Sequence, residues 1–396
     1  MDNGQLPDFR SFIEPRFHLS HRASGVDDGR VDPDIPASTV FHAICFMGVL
    51  GLPSLLQCDQ SLRTPVGHGW FGHGKSSLEP VVSDSTMCRS LESMGLDRLR
   101  SILHSAYLLW CSIGVSKCPL RSGRLRIGIV DGSVFGRFKA SCLEVVGAES
   151  MMVDLEEIPK RGKELPSSYA LLRRCKETFG LGFVDVMLGD GLYLNAPYFN
   201  LCLQELHCDA LVKTDDATRN IIKDAMGLFA HADKFGEDIV QWEGIDMERL
   251  RSYKGMMTSG FTLNGVDASL SVAWVREEDI KTGETYEFWV VASSEYLTQP
   301  LYAEEMRELA HWRWDTENDG FKALNQHVHT RHIYSHDSHA SEAILLILFL
   351  IFNLLGIYLH HYQEQITHYP GMKQTRIFAL RMMRWIMVGA AFQDYG

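Results

Sequence analysis

Residues 343–359 read AILLILFLIFNLLGIYL, a run of 17 residues that is apolar apart from Asn353 and the small Gly356. No surface helix tolerates such a run, because apolar residues all round leave no polar face for water. Two folds accommodate it. One is a helix buried on every side in a protein core. The other is a membrane span, for which 17 residues is the short limit. Histidines rather than a Lys/Arg cluster flank the run, which lacks the usual cytoplasmic anchor of a span. The core helix is therefore the first reading and the membrane span the competing one.

The rest of the composition has room for a core. The 396 residues are 45% hydrophobic and 22% charged, near globular averages. At roughly 150 residues per domain, two or three domains are expected. The formal charge is −12. Residues 216–310 carry 18 acidic against 9 basic side chains, while the remainder is nearly neutral. A protein coated with positive charge for nucleic acid is excluded, but a local basic groove is not. Nine cysteines, none in a CxxC pair, argue for reduced thiols and against a zinc finger or disulfide scaffold. The start, MDNGQLPDFRSFIEPRF, has no apolar segment of the secretory kind. The chain is expected to be cytoplasmic.

Local patterns divide the chain. Residues 1–120 are expected to be a mostly helical N-terminal domain serving DNA binding or dimerisation. Within it, 1–35 reads as a polar arm, 38–57 as a helix, 60–82 as a Gly/Pro/Ser-rich loop and 83–111 as two helices started by Ser83, Asp84 or Ser85. Residues 121–215 change character. The β-rich run LRIGIVDGSVF (125–135) and two more strands, at 137–147 and 151–158, form a meander. A basic turn, PKRGK, leads to a helix over 167–179 ended by Gly180. A strand over 182–189, a helix over 195–206 and a strand over 209–213 continue an alternating β-α pattern. The acidic stretch 216–284 alternates like strands at 259–277 and reads as an inserted subdomain. Residues 285–370 return to the core, with a strand at 285–294, a helix from about Leu301 and the apolar run. Residues 371–396 end in an amphipathic helix (376–387). The expected class is α/β.

Three acids stand out by position. Asp131 and Asp190 each end a strand and precede a glycine, where the chain can turn sharply. Ligands of open α/β sheets collect at the carboxyl ends of strands. Glu317 lies on the helix that follows the last strand. Three carboxylates brought to one sheet edge suit Mg²⁺ or Mn²⁺, which favour oxygen ligands, and such metals support hydrolysis of phosphodiesters. Each acid taken alone reads as a turn residue or a solvated helix position.

Residues 313–325, RWDTENDGFKALN, carry the most specific pattern. The chain resembles, over about 83–365, the DDE transposases of bacterial insertion sequences, the group marked by a Tyr-Arg-Glu-Lys signature around its last acid. In that family the stretch reads roughly Arg-Trp-x-x-Glu-Asn-x-x-Phe-x-x-Leu-Lys. Arg313, Trp314, Glu317, Asn318, Phe321 and Leu324 fall in place. Residues 125–133 and 183–193 resemble the family's first-Asp and second-Asp strands, and 343–359 has a family counterpart. The resemblance implies an RNase H-like core with an inserted strand-containing subdomain. It implies Asp131, Asp190 and Glu317 as metal ligands and catalytic residues, with Mg²⁺ or Mn²⁺ as cofactor. It implies cleavage and joining of DNA strands at transposon ends, a homodimer on DNA, and no membrane. It also points to Arg313, Trp314, Asn318 and Lys322 as DNA contacts. The family tyrosine falls at Ala310, beside His311, and the family lysine at Asn325. With the acidic net charge, these departures keep a second reading open: a domesticated or inactive relative that binds DNA without cutting it.

Other features carry less. Lys160, Arg161 and Lys163, with Arg173, Arg174 and Lys176 on the next helix, offer phosphate contacts or a plain solvated face. Trp312 and Trp314 are candidates for base stacking or for the core. Five histidines between 327 and 339 lack the spacing of a helical metal site and read as a polar loop near DNA. His68, His73 and Cys88 make a weak zinc pattern. No phosphate-binding glycine loop is present.

Overall fold

The computed structural model describes residues 9–71, 82–121, 123–147, 150–232, 238–299, 301–315 and 321–362, without the side chains at 314, 315 and 321–323. The expected C-terminal helix over 376–387 lies outside these residues. Seven helices come first: α1 (Phe9–Phe17), α2 (Leu19–Ala23), α3 (Ala37–Leu50), α4 (Leu55–Leu62), α5 (Pro65–Trp70), α6 (Asp84–Leu91) and α7 (Leu96–Ser112). Strands β1 (Cys118–Leu120) and β2 (Gly123–Leu125) form a small hairpin. Strands β3 (Ile127–Phe135), β4 (Phe138–Val146) and β5 (Ser150–Glu157) follow, then α8 (Glu164–Phe179) and β6 (Val186–Gly189). Next come α9 (Ala196–Asn200), running into one π-helical turn at Leu201–Leu206, then β7 (Asp209–Thr214) and α10 (Asn220–Phe229). Strands β8 (Val240–Asp246), β9 (Arg251–Phe261), β10 (Leu270–Asp279) and β11 (Thr285–Ala292) precede α11 (Ala303–Asp315), α12 (Phe321–Val328) and α13 (Ser338–His361). The class is mixed α/β.

Nine strands form one mixed sheet in the order β5-β4-β3-β6-β7-β11-β10-β9-β8. The expected meander is present: β3, β4 and β5 pair antiparallel. β6 and β7 then run parallel to β3. The acidic stretch does not stand apart from the sheet. Its strands β8, β9 and β10 continue the edge beyond β7 through β11.

Side chains alternate across the sheet, and the two faces have different covers. Ile127, Ile129, Val186 and Leu188 belong to the layer that meets Met306, Leu309 and Ala310 of α11. Val130, Leu143, Met187 and Val212 face the larger layer shared with α8, α13 and the N-terminal helices.

Helix α13 carries the apolar run and is the centre of that larger layer. It is the one helix among the described residues long and apolar enough to cross a bilayer unaided by a bend, and 94% of its most apolar window is buried inside the protein. Helices α1, α3, α6 and α7 and strand β5 all pack on it. Gly48 of α3 lets that helix approach closely, since a Cβ there would lie 3.1 Å from Ile351. Phe349 meets Phe135 of β3 edge-on at 5.8 Å. The run is covered as in the core helix of a soluble protein.

Asn353, the polar interruption in the run, is fully buried and is consumed locally. Its amide accepts from the Met152 N–H at 3.0 Å and donates to the Met152 carbonyl at 2.6 Å. It therefore pins α13 to β5. An Asn353→Leu chain keeps the branched shape but leaves both backbone groups of Met152 unpaired on that side. At about 1–3 kcal/mol for an orphaned buried polar group, it is expected to unfold at clearly lower denaturant with an unchanged slope. A midpoint equal to wild type would rule out this clamp.

Within the polar arm expected over 1–35, the described residues begin with two helices, α1 and α2. Phe9, Phe12, Ile13 and Phe17 are buried in α1, and Phe12 packs edge-on against Tyr358 of α13 at 5.1 Å. The expected loop at 60–82 begins with α4 and α5, each capped by a side chain, Ser54 and Thr64.

Candidate functional site

The parallel ladder of β3 and β6 pairs Ile127, Gly128 and Ile129 with Val186, Met187 and Leu188. Continuing that register by two residues sets Asp131 beside Asp190. Both keep the parity of Ile129 and Leu188, so both stand on the face covered by α11. They open into one cleft of ≈ 550 Å³, lined also by Gly132, Ser133, Val134, Gly136, Arg313 and Arg331. Two of the three expected acids are thus neighbours; Asp190 follows the end of β6 as expected, but Asp131 lies inside β3, which runs on to Phe135 because its ladder with β4 continues past Gly132.

Local bonds hold them there. The Gly132 N–H donates to Asp131 Oδ1 at 2.8 Å. Asp190 Oδ1 accepts from the Leu192 N–H at 2.9 Å and caps the short 3₁₀ turn Gly191–Tyr193. The Arg219 guanidinium donates to the Gly191 carbonyl at 3.2 Å, bracing the same turn. Arg313 Nη1 lies 3.7 Å from Asp131 Oδ2, with both side chains mostly buried. Arg313 therefore enters the cleft from α11, as its position in the 313–325 pattern suggested.

Glu317 and Asn318 lie outside the described residues. Trp314 and Lys322 belong to α11 and α12, but their side chains lie outside too. Trp312 packs, partly buried, against the α11 layer of the sheet, the core alternative for that residue. Lys160, Arg161 and Lys163 are exposed in the turn before α8. Two of their expected companions on α8 are engaged elsewhere. Arg173 makes a two-point pair with Glu205, both contacts at 2.8 Å. Arg174 is drawn inward onto Asp154 at 2.9 Å and onto Glu156.

Ala310 and His311, where the family tyrosine falls, turn away from the cleft. Ala310 is fully buried against the sheet. His311 Nε2 bonds Glu277 Oε1 at 2.6 Å. The five histidines at 327–339 are dispersed. His329 and His339 bond the carbonyls of Gly51 and Met94, at 3.0 and 2.8 Å. No three of the five converge as metal ligands among the described residues. The nine cysteines are free thiols, most of them buried.

Sequence reasoning missed one acid. Glu164, the first residue of α8, brings its carboxyl group against Gly132. Burial, then the nearby Asp190 carboxylate, hold its pKa above the ordinary glutamate value. Burial, with the nearby Glu164, Asp131 and Asp190 carboxylates, raises the pKa of the Tyr193 hydroxyl, which bonds Ser168 at 2.8 Å. The approach of Glu164 to Gly132 depends on the packing of α8 over β3, which no local pattern announces. Arg331 was likewise missed; it reaches the cleft from the chain after α12.

A second polar group is buried beneath α7. His104, Asp154 and Cys175 place one ligand atom each within 4.8 Å of one another, close enough to hold a metal ion. Arg174 at 2.9 Å and Arg100 at 3.5 Å already balance the Asp154 carboxylate. Burial raises the Cys175 pKa far above its usual value, which keeps it a thiol. The group therefore works as an internal ion-pair network. No protein-family model matches this chain, and no curated protein matches it.

Proposed function

We propose that this chain is a DDE-type transposase, a metal-dependent enzyme that cleaves and joins DNA strands at transposon ends. The observation that carries the reading is the pairing of Asp131 and Asp190 on adjacent parallel strands, opening into a cleft that Arg313 enters. The sheet order β5-β4-β3-β6-β7, with three antiparallel strands then two parallel ones, supports an RNase H-like core. On this reading β8, β9 and β10 are an extension carried by the acidic insertion, and β11 is the returning core strand that joins it to β7.

The cleft fits a divalent cation. Its donor set is carboxylate oxygen, the preference of Mg²⁺ and Mn²⁺. Asp131 and Asp190 would hold the ion, with Glu317 as the third ligand that the 313–325 pattern supplies. A divalent ion there lowers the pKa of a bound water and steadies the charge on a leaving oxygen. The chain's own groups do the rest. Asp131 and Asp190 are fixed by the backbone N–H groups of Gly132 and Leu192, so little reorganisation is needed when substrate arrives. Arg313 and Arg331 place positive charge on the cleft wall, where a phosphodiester docks. Lys160, Arg161 and Lys163 extend that positive rim from the start of α8. Asn318, Trp314 and Lys322 follow in the same segment as further DNA contacts. Two protomers would bring two DNA ends together, in the cytoplasm.

The direct test incubates the full chain with supercoiled DNA bearing the element's ends, with Mg²⁺, Mn²⁺ or a chelator. Metal-dependent nicking supports the reading. Its absence, or nicking that survives Asp131→Ala, sinks it. The acidic net charge favours one alternative, a domesticated or inactive relative that binds DNA but does not cut. DNA binding unaffected by metal, with no nicking, would select it.

The basic turn makes its own prediction. Replacing Lys160, Arg161 and Lys163 with alanine removes up to three phosphate contacts. At a slope of about −0.9 per contact, the plot of log affinity against log salt should flatten by roughly 2–3. An unchanged slope would assign these residues to a solvated face.

A further inference from the structure

We infer that Asn325 is a positioning residue for Arg331, holding the backbone of the one cleft arginine whose charge is left open for a phosphate. The inference rests on the transposase reading for its substrate. The two arginines of the cleft are held differently. Arg313 lies 3.7 Å from Asp131 with its side chain mostly buried. Arg331 lines the same cleft as Asp131 and Asp190 and is exposed. Its guanidinium makes no ion pair among the described residues. An incoming phosphodiester therefore meets Arg331 without first displacing a carboxylate. A long side chain on a loop serves binding only as far as its backbone is already fixed, because ordering it at binding costs affinity.

The turn that carries Arg331 is fixed on every side. Helix α12 ends at Val328. His329 then takes a left-handed backbone with φ 53°, an uncommon choice for a residue with a side chain, and its carbonyl accepts the His332 N–H at 2.8 Å. Val328 and Thr330 are buried beneath the turn. His329 Nε2 bonds the Gly51 carbonyl at 3.0 Å, and the Tyr334 hydroxyl donates to the carbonyls of Val328 and His329 at 3.1 and 3.3 Å. The tip of the β3–β4 hairpin abuts the other side. Gly136 there has a left-handed φ of 60°, and a Cβ on it would lie 3.0 to 3.3 Å from Ile333 and from the carbonyls of His332 and Arg331. These contacts fix the flanks of the turn. Arg331 itself is tied by its own N–H, which donates to Asn325 Oδ1 at 3.1 Å. Asn325 stands in the last turn of α12, so its amide bridges the helix end and joins the arginine to a rigid element.

Asn325 carries no charge, which makes its replacement informative. Each phosphate contact contributes about 0.9 to the slope of log affinity against log salt. Affinity of the full chain for a short DNA duplex is measured over a KCl series at constant Ca²⁺, which takes oxygen ligands as Mg²⁺ does. The chains compared are wild type, Arg331→Ala, Asn325→Ala and the double variant, with thermal unfolding measured alongside. Arg331→Ala is expected to flatten the slope by about 0.9. Asn325→Ala should flatten it by most of that amount although it removes no charge, with an unfolding midpoint close to wild type. In the Arg331→Ala background, Asn325→Ala should change neither affinity nor slope further. A loss of affinity equal in both backgrounds would give Asn325 a merely structural role, and a wild-type slope in Arg331→Ala would remove the phosphate contact. Either result overturns the inference, while metal-dependent nicking by wild type would keep the transposase reading. Slopes as expected without any nicking would sink that reading and leave the positioning role. Wild type that binds no DNA would end both.

Discussion

Asp190→Ala is expected to slow metal-dependent DNA nicking by roughly 10³-fold while leaving the fold intact. A metal centre contributes several kcal/mol to the transition state of phosphoryl transfer, and each 1.36 kcal/mol is a factor of ten. Loss of one of two paired carboxylates therefore costs about 4 kcal/mol. The fold should survive because Asp190 lies in the cleft, outside both hydrophobic layers, and its removal relieves repulsion from Glu164. Asp131→Ala should behave alike, with one difference. It also removes a negative charge 3.7 Å from Arg313, so DNA binding should strengthen as cutting fails. The measurement is single-turnover nicking beside filter binding. A variant that cuts within tenfold of wild type would remove Asp190 from the chemistry.

The second large effect is on stability. Glu277 of β10 is fully buried and holds three cationic or polar partners: Arg307 at 2.6 Å, His311 at 2.6 Å and Arg251 at 2.9 Å. Arg307 also reaches Asp246 at 3.1 Å. Breaking a buried pair by removing one partner costs about 3–5 kcal/mol, because the other charges stay buried. Glu277→Ala should therefore be among the most destabilising single changes in the chain. The same residue sets an acid limit. Despite burial, its bonds to His311, Arg307 and Arg251 hold its pKa at about 2 against an ordinary 4.5. Asp246 is also held at about 2, by backbone and side-chain bonds from Arg249 and by Arg307. A depressed carboxylate pKa stabilises the fold above the unfolded value and loses that contribution as pH falls toward the folded value. Stability should decline from about pH 4.5 down to 2. In Glu277→Ala this decline should be shallower. An equally steep decline would place the acid-sensitive groups elsewhere.

The two results are linked through α11. Arg307 and His311 lie one turn apart and fasten that helix to β10, while Arg313 two residues on enters the cleft. In neutral form His311 carries its proton on Nε2, since an ionised Glu277 can only accept. His311 thus works as a mount for the helix.

How much of this was legible depends on the range of the signal. The meander, the strands bearing Asp131 and Asp190 and the buried run of α13 follow from period-two and all-apolar patterns. These patterns are local. The neighbouring placement of the two aspartates needed only α/β alternation; the strand end expected at Asp131 was wrong, because pairing with β4 carries β3 on to Phe135. α1 was missed because Pro15 and three charged residues, Arg10, Glu14 and Arg16, dilute the helical period of its apolar stripe. Glu164 was missed for a different reason. A glutamate opening a helix after a basic turn has an ordinary local cause, and its approach to the strand depends on packing between residues 132 and 164. The insertion was read as separate because its composition differs. Strand pairing responds to edge hydrogen bonds, which composition does not encode.

The central burial of α13 has a consequence for synthesis. Helices α1, α3 and α7 face it, yet about 290 residues separate the end of α3 from its start. At roughly 5–20 residues per second of translation, those helices wait about 15–60 s for the surface that covers them. During that interval Phe12, Phe41 and Tyr107 belong to a nascent chain without its hub. The chain should depend on holding chaperones while it is being made, and truncation before residue 338 should turn a folding protein into an aggregating one.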